Sequence, residues 1–274
     1  MDTNKQTWEI GKENASDVIA TLDGTTLTID GKGEMRDFSI IVYEERDTFS
    51  YAPGVKFFGD PRGMIPDGRA QMEIVSVEYD DSPVFVVKYT DDAPWSQEII
   101  SNVHITGVSN IGDCAFLDLY GLKSITISDS VNRIGAWAFK NCRTLESIQI
   151  PRGIQILQND VFRGCRALES VEMPESVKNI NNGAFRGCSN LKTVICPSRT
   201  LPNLSPDAFF TDLDDLDEKD AFKKIEGGDL EERNAFKKVK LYVPAVSIDY
   251  YKNAPRWEMF EKFGGKIHAI EDLA

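Results

Sequence analysis

The amino-acid sequence predicts an α/β solenoid, in which repeated coils stack to form a parallel sheet, with a β-rich cap region at the N-terminal end. Three observations lead there. Apolar residues recur in register every 23 positions from Ile111 to about Leu201. Each unit holds one short alternating run that reads as a strand. No unit can bury its apolar faces alone, so neighbouring units must stack to share a core.

The repeat itself is read from the segments GDCAFLDLYGL, GAWAFKNCRTL, QNDVFRGCRAL and NNGAFRGCSNL. Phe116, Phe139, Phe162 and Phe185 fall in one column, and Leu122, Leu145, Leu168 and Leu191 in a second. Ala115, Ala138, Val161 and Ala184 precede the Phe column. Two further columns are Ile125/Ile148/Val171/Val194 and Ile127/Ile150/Met173/Cys196. The L-x-x-I-x-I stretch alternates with period 2, as a half-buried strand does. Pro151, Pro174 and Pro197 follow it and stop it, because Pro cannot donate to a sheet ladder. The A-F-x-x-C stretch is too short for a stable helix and is expected as a single turn on the opposite side.

An incomplete unit precedes these four, carried by Trp95, Val103, Ile105 and Val108. A degenerate one follows, with Leu204, Ala208 and Phe209 one residue late. The five cysteines make a poor disulfide framework, since the count is odd and no C-x-x-C pair exists. Cys142, Cys165 and Cys188 form their own column and are expected as a ladder of small buried thiols.

The unit I-x-x-x-A-F-x-x-C-x-x-L-x-x-I-x-I-P resembles the leucine-rich repeats of BspA-like bacterial surface proteins. The flanks resemble that family too: ATLDGTTLTIDGKGEMRDFS with a later APW before the repeats, and KLYVPAVSIDYYKNAPRWEMF after them. The resemblance implies a right-handed leucine-rich repeat coil. It also implies a secreted or surface-attached, non-catalytic protein that adheres to host or neighbouring-cell molecules.

Four segments follow from this reading. Residues 1–95 are a β-rich N-terminal cap region containing an atypical insertion at about 40–92. Residues 96–210 are the repeats, 211–239 an acidic insertion expected to be helical, and 240–274 the C-terminal cap. In the first segment, VIATL and TTLTI flank Asp23-Gly24, a strong signal for a two-residue hairpin turn. MEIVSVEY and VFVVKY, around Asp80, Asp81, Ser82 and Pro83, predict a second hairpin. The acidic start of the 211–239 stretch does not fit an EF-hand beginning at Asp212. Leu216 stands at its fifth position, Asp217 where Gly is needed and Lys223 in place of the final Glu, so a solvated acidic face is expected.

The net charge of −13 argues against nucleic acid and anionic membranes as partners. No apolar run approaches a membrane-spanning length. The first residues, MDTNKQTWEI, lack the apolar segment of a signal peptide, which leaves a cytosolic chain or a mature fragment as alternatives. Of the two histidines, His104 and His268, neither lies in a catalytic or metal-ligand spacing. The sequence predicts no enzyme, cofactor or metal, and a protein or glycan as partner. The competing expectation is an envelope spacer with no specific ligand.

Candidate contact residues fall in two groups. Tyr43, Phe49, Tyr51, Phe57, Phe58, Arg62 and Arg69 cluster in the atypical insertion, rich in the residue types that anchor interfaces. His104, Gln149 and Glu172 share the outward side of the strands. Roughly five or six coils at ~4.8 Å per strand offer on the order of 300–400 Å² of sheet face, less than the ~800 Å² per partner of a stable protein interface. The register also predicts a basic ridge on the turn side, from Lys140, Arg163 and Arg186 beside Arg143 and Arg166. Glu146, Glu169 and Glu172 predict a more acidic sheet face.

Overall fold

In a computed structural model of the chain, the structure describes residues 5–41, 88–91, 93–96, 98–205, 207–209, 239–262 and 265–273. All of the second expected hairpin except Lys88 and Tyr89, the acidic insertion through residue 238 and the candidates Tyr43, Phe49, Tyr51, Phe57, Phe58, Arg62 and Arg69 lie outside the described residues.

Strands β1 (Gln6–Glu9), β2 (Val18–Asp23) and β3 (Thr26–Glu34) pair antiparallel in that order. The β2–β3 turn lies one residue later than the Asp23-Gly24 reading, because Asp23 pairs with Thr26 and the two-residue loop is Gly24-Thr25. Gly24 has φ +60°, the backbone that glycine adopts at least cost. A short antiparallel pair joins β4 (Ser39–Ile41) to β5 (Lys88–Asp91).

β3 then pairs in parallel with β6 (Asn102–Ile111), Leu27 against Val103 and Ile29 against Ile105. The N-terminal region therefore supplies the strand of one more repeat, although it shares none of the repeat's motif. Buried Asn110 holds this junction: its side chain accepts from the Met35 amide at 2.6 Å and donates to the Met35 carbonyl at 3.1 Å. Arg133 adds a clamp, donating to Asp113 at 2.6 Å and to Asp37 at 3.2 Å.

The parallel order continues through the repeats. β7 (Ser124–Ile127) pairs with β6, which at its other end also pairs with β8 (Arg133–Ile134). Strands β9 (Ser147–Gln149), β11 (Ser170–Glu172) and β13 (Thr193–Ile195) pair in parallel with the 23-residue offset, Ile148 beside Val171 beside Val194. A second, narrower sheet forms from β10 (Ile156–Leu157), β12 (Asn179–Ile180) and β14 (Asn203–Leu204). The wide sheet is extended beyond β13 by β15 (Lys240–Val243) and β16 (Lys266–Ala269), both parallel. The C-terminal cap is thus continuous with the sheet.

On the remaining side the A-F-x-x-C stretches are runs of i→i+3 turns, with Lys140 N–H to Trp137 C=O at 3.1 Å and Cys142 N–H to Phe139 C=O at 3.2 Å. Among the described residues the α-helices are confined to the cap: α1 (Ile248–Asn253) and α2 (Met259–Lys262). The α part of the α/β expectation is therefore absent from the described repeats, where a three-residue period replaces it. That period eclipses side chains three apart, so Phe, Cys and Leu of each unit share an inward row.

The inward rows build a spine of rings. Phe116, Phe139, Phe162, Phe185 and Phe209 are fully buried. Their rings stack at 5.2, 5.6, 5.5 and 5.1 Å, within 18° of parallel. Trp95 joins one end at 6.1 Å and donates its indole N–H to the Ala115 carbonyl at 2.9 Å. Buried Phe260, Trp257 and Tyr251 form the other end. All five cysteines are free and buried. Of the Ile127 column, only Ile127 itself is half-buried.

Candidate functional site

Two parallel ladders, β3–β6–β7 and β9–β11–β13–β15–β16, set which side chains project together, and among the described residues no strand pairing joins β7 to β9. Because successive strand residues point to opposite faces, burial of Ile125, Ile148, Val171 and Val194 turns their neighbours outward. Register aligns His104 with Thr126, Gln149 with Glu172, Glu172 with Ile195, Ile195 with Tyr242, and Tyr242 with His268. The three sequence-derived candidates are all exposed; Gln149 and Glu172 share one ladder and His104 lies on the other. His104 Nδ1 lies 2.7 Å from the Thr126 hydroxyl, which fixes the ring against the sheet.

Two members were not legible beforehand. Tyr242 and His268 stack at 5.2 Å, 24° from parallel, at the C-terminal end of the column. Their register depends on the pairing of β15 with β13, and the acidic insertion destroys the spacing that would have revealed it. The only available signal was the L-Y-V-P run, whose alternation matches a repeat strand.

Charge on the sheet side is mixed, not simply acidic. Glu169 pairs with Lys192 at 2.9 Å, and Lys240 and Lys266 continue the Ser170–Thr193 column toward the cap. The expectation of an acidic sheet face therefore applies to Glu146, Glu169 and Glu172 but fails toward the C-terminus.

The turn side carries the basic columns. The Lys140 ammonium lies 4.6 Å from the Trp137 ring centroid, and the Arg143 guanidinium 4.6 Å from that of Tyr120. Arg163 approaches Asp160 at 3.8 Å. Burial pushes the Asp160 carboxyl up from its ordinary range; Arg163, Lys140 and Arg186 oppose this, and Asp207 reinforces it. Burial likewise raises the Cys142 and Cys165 thiols, which keeps them protonated and poor nucleophiles.

Among the described residues, no group of three or more His, Cys, Asp or Glu is placed to hold a metal ion. No helix among them is long and apolar enough to cross a membrane. What the arrangement offers is a rigid face of polar and aromatic side chains, suited to contact with a partner.

Residues 95–227 match, in six copies, the family described as the BspA type leucine rich repeat region. Among solved structures, a leucine-rich repeat protein of T. pallidum is 37% identical over 35% of this chain and 45% of its own, with a TM-score of 0.34. One from Eubacterium ventriosum is 16% identical over 76% of this chain and 44% of its own, with a TM-score of 0.45. A leucine-rich cell surface protein of Faecalibacterium prausnitzii is 20% identical over 69% and 45%, with a TM-score of 0.33. The matched part spans less than half of each of those chains. No curated protein matches.

Proposed function

Residues 95–227 being BspA-type leucine-rich repeats, we propose that the chain is a non-catalytic recognition module, a right-handed solenoid that adheres at the cell surface or after secretion to an extracellular protein or glycan. The observation that carries this reading is the outward column Gln149–Glu172–Ile195–Tyr242–His268, ending in the stacked Tyr242 and His268, with His104 and Thr126 aligned on the neighbouring ladder. It combines hydrogen-bonding groups with an aromatic pair on a hydrogen-bonded ladder, so few side chains need ordering when a partner binds. Preorganisation of this kind lowers the entropic cost of association. The small area of the face suits a peptide or glycan segment. A larger partner draws on the aromatic and arginine-rich candidates between Tyr43 and Arg69 as well.

The test is a binding screen of the purified chain against extracellular-matrix proteins and a glycan array. A hit is then measured against a Gln149→Ala/Glu172→Ala/Tyr242→Ala variant. Binding that weakens at least about tenfold, the effect of losing roughly 1.4 kcal/mol of contact energy, supports the sheet face as the site. A screen without hits, or a hit indifferent to the variant, removes the sheet-face reading.

A further inference from the structure

The outward face of the wide sheet changes character at its C-terminal end. β15 and β16 pair in parallel, with Lys240 beside Lys266 and Tyr242 beside His268. Residues two apart on a strand share a face, and Leu241, Val243, Ile267 and Ala269 are buried. The four partners therefore stand together on the outer face. Neighbouring strands lie ~4.8 Å apart, so the patch is compact, with two ammoniums in one row and two rings in the next.

The cation row is unbalanced. Lys240 and Lys266 are both exposed, and among the described residues no ion pair holds either one. Lys192, by contrast, is neutralised by Glu169 at 2.9 Å. Glu172, the carboxylate of the outward column, lies on β11, two strands from β15 and three from β16. Glu271, just beyond β16, is turned to the Ala245 amide at 3.2 Å. Like charges on adjacent strands repel, yet a chain with 44 acidic residues against 31 basic ones leaves this pair uncompensated.

A second, independent observation concerns the ring row. Tyr242 and His268 are half-buried and stack at 5.2 Å. The Nε2 atom of His268 is buried and has no hydrogen-bond partner, whereas His104 on the other ladder is tied to the Thr126 hydroxyl. Buried polar atoms are seldom left unpaired in a folded chain. The stack, and not a hydrogen bond at this nitrogen, holds the His268 ring.

We propose that this patch is the subsite for an acidic sugar at the end of a glycan, its carboxylate bridging the Lys240 and Lys266 ammoniums and its ring lying against the Tyr242–His268 pair. The proposal rests on the reading of the sheet face as the contact surface and names the ligand class. Small-ligand sites combine aromatic walls with a few placed polar groups, and the patch supplies both. A half-turn of the His268 ring about its Cβ–Cγ bond keeps the stack and carries Nε2 to the other side, where a sugar hydroxyl satisfies it. An acidic peptide fits less well. It would add as a strand to the edge of β16, and an exposed lysine on a short edge strand discourages such pairing.

The test uses the full chain with sialyllactose, whose terminal sugar carries a carboxylate, and with neutral lactose, followed by calorimetry and saturation-transfer NMR. Sialyllactose should bind about tenfold or more tightly than lactose, as charge-assisted contacts provide, with the strongest transfer at the acidic ring. Lys240→Gln/Lys266→Gln, both exposed and so tolerated by the fold, should abolish that preference. His268→Ala should weaken sialyllactose binding by a similar factor. Arg152→Gln/Lys178→Gln, exposed cations of other segments, should bind as the parent does. The proposal is overturned by no sialyllactose binding, by binding that either patch variant leaves unchanged, by equal losses in the control variant, or by polyglutamate displacing sialyllactose as readily as free sialic acid does. If it is overturned while a screen hit still weakens in the Gln149→Ala/Glu172→Ala/Tyr242→Ala variant, only the ligand class is wrong. If no hit responds to that variant, the sheet-face reading itself falls.

Discussion

Cys165 donates its thiol to the backbone carbonyl of Phe139 in the preceding repeat, at 3.2 Å. The same link joins Cys142 to Phe116 and Cys188 to Phe162 at the same distance. A cysteine at this position thus serves as a small core residue and as a hydrogen-bond donor between units. Cys165→Ala is expected to cost about 1–2 kcal/mol, from one lost hydrogen bond and a small void, measured by urea unfolding. Because burial raises the thiols of Cys142 and Cys165, a thiol reagent at neutral pH should label them only on unfolding.

Phe162 sits mid-spine between Phe139 and Phe185. Phe162→Ala should lower unfolding free energy by about 3–5 kcal/mol, the range for emptying a buried aromatic site. Near-neutral stability after this change would contradict the shared ring stack.

Gly183 and Asp160 test the coupling between adjacent repeats. A Cβ on Gly183 would overlap the Asp160 carboxylate, and Gly183 has φ +64°. Gly183→Ala should therefore cost more than the ~1–2 kcal/mol of a left-handed alanine alone. In Asp160→Gly the overlap disappears, so the double variant should retain only the backbone cost. A double-mutant cycle with strictly additive losses would show that the two positions do not meet.

Asp160 also sets a pH dependence. Its carboxyl is raised chiefly by burial, so the folded state holds the proton more tightly than the unfolded state. The charge then penalises folding as pH rises through and above the ordinary carboxylate range, and the penalty vanishes at lower pH. Asp160→Asn, which suits the φ of +52° at this position, should stabilise the chain at neutral pH and lose that advantage toward acid pH. A variant less stable than the parent at neutral pH would mean that the pairing with Arg163 outweighs burial.

For the 40–92 insertion the expected outcome rests on composition. For a partner larger than the sheet face, deleting residues 45–70 should abolish binding while leaving the repeat core folded by circular dichroism. A deletion variant that binds as the parent does would move the recognition surface elsewhere.

The repeats were legible because stacking demands like residues at like positions: Phe116, Phe139, Phe162 and Phe185 recur without a slip, and one column predicts the next. Outward positions were legible as far as the period runs, which suffices for His104, Gln149 and Glu172. Tyr242 and His268 lie past the insertion, where spacing carries no information about register. The strand from Thr26 to Glu34 was legible as half of a hairpin only. Its parallel pairing with Asn102–Ile111 joins segments about 76 residues apart, through backbone hydrogen bonds that any alternating sequence can make. The left-handed conformations of Trp137 and Asp160 were hidden for a related reason, since glycine, the residue that would announce them, occupies that position only at Gly183.

The ring spine ends in the same way at both extremities. Phe38 meets Trp95 edge-on at 69°, Trp8 does so at 63°, and Phe260 meets Phe209 at 73°. Between these ends the rings lie face to face, and each stacked ring could accept another. A perpendicular ring presents its rim to the last face, like a crossbar closing a rail, and at the C-terminal end Trp257 then lies 14° from parallel on Phe260. The turned rings mark where the repeated Phe column hands over to the caps, so among the described residues the repeat's own stack runs from Trp95 to Phe209 and no further.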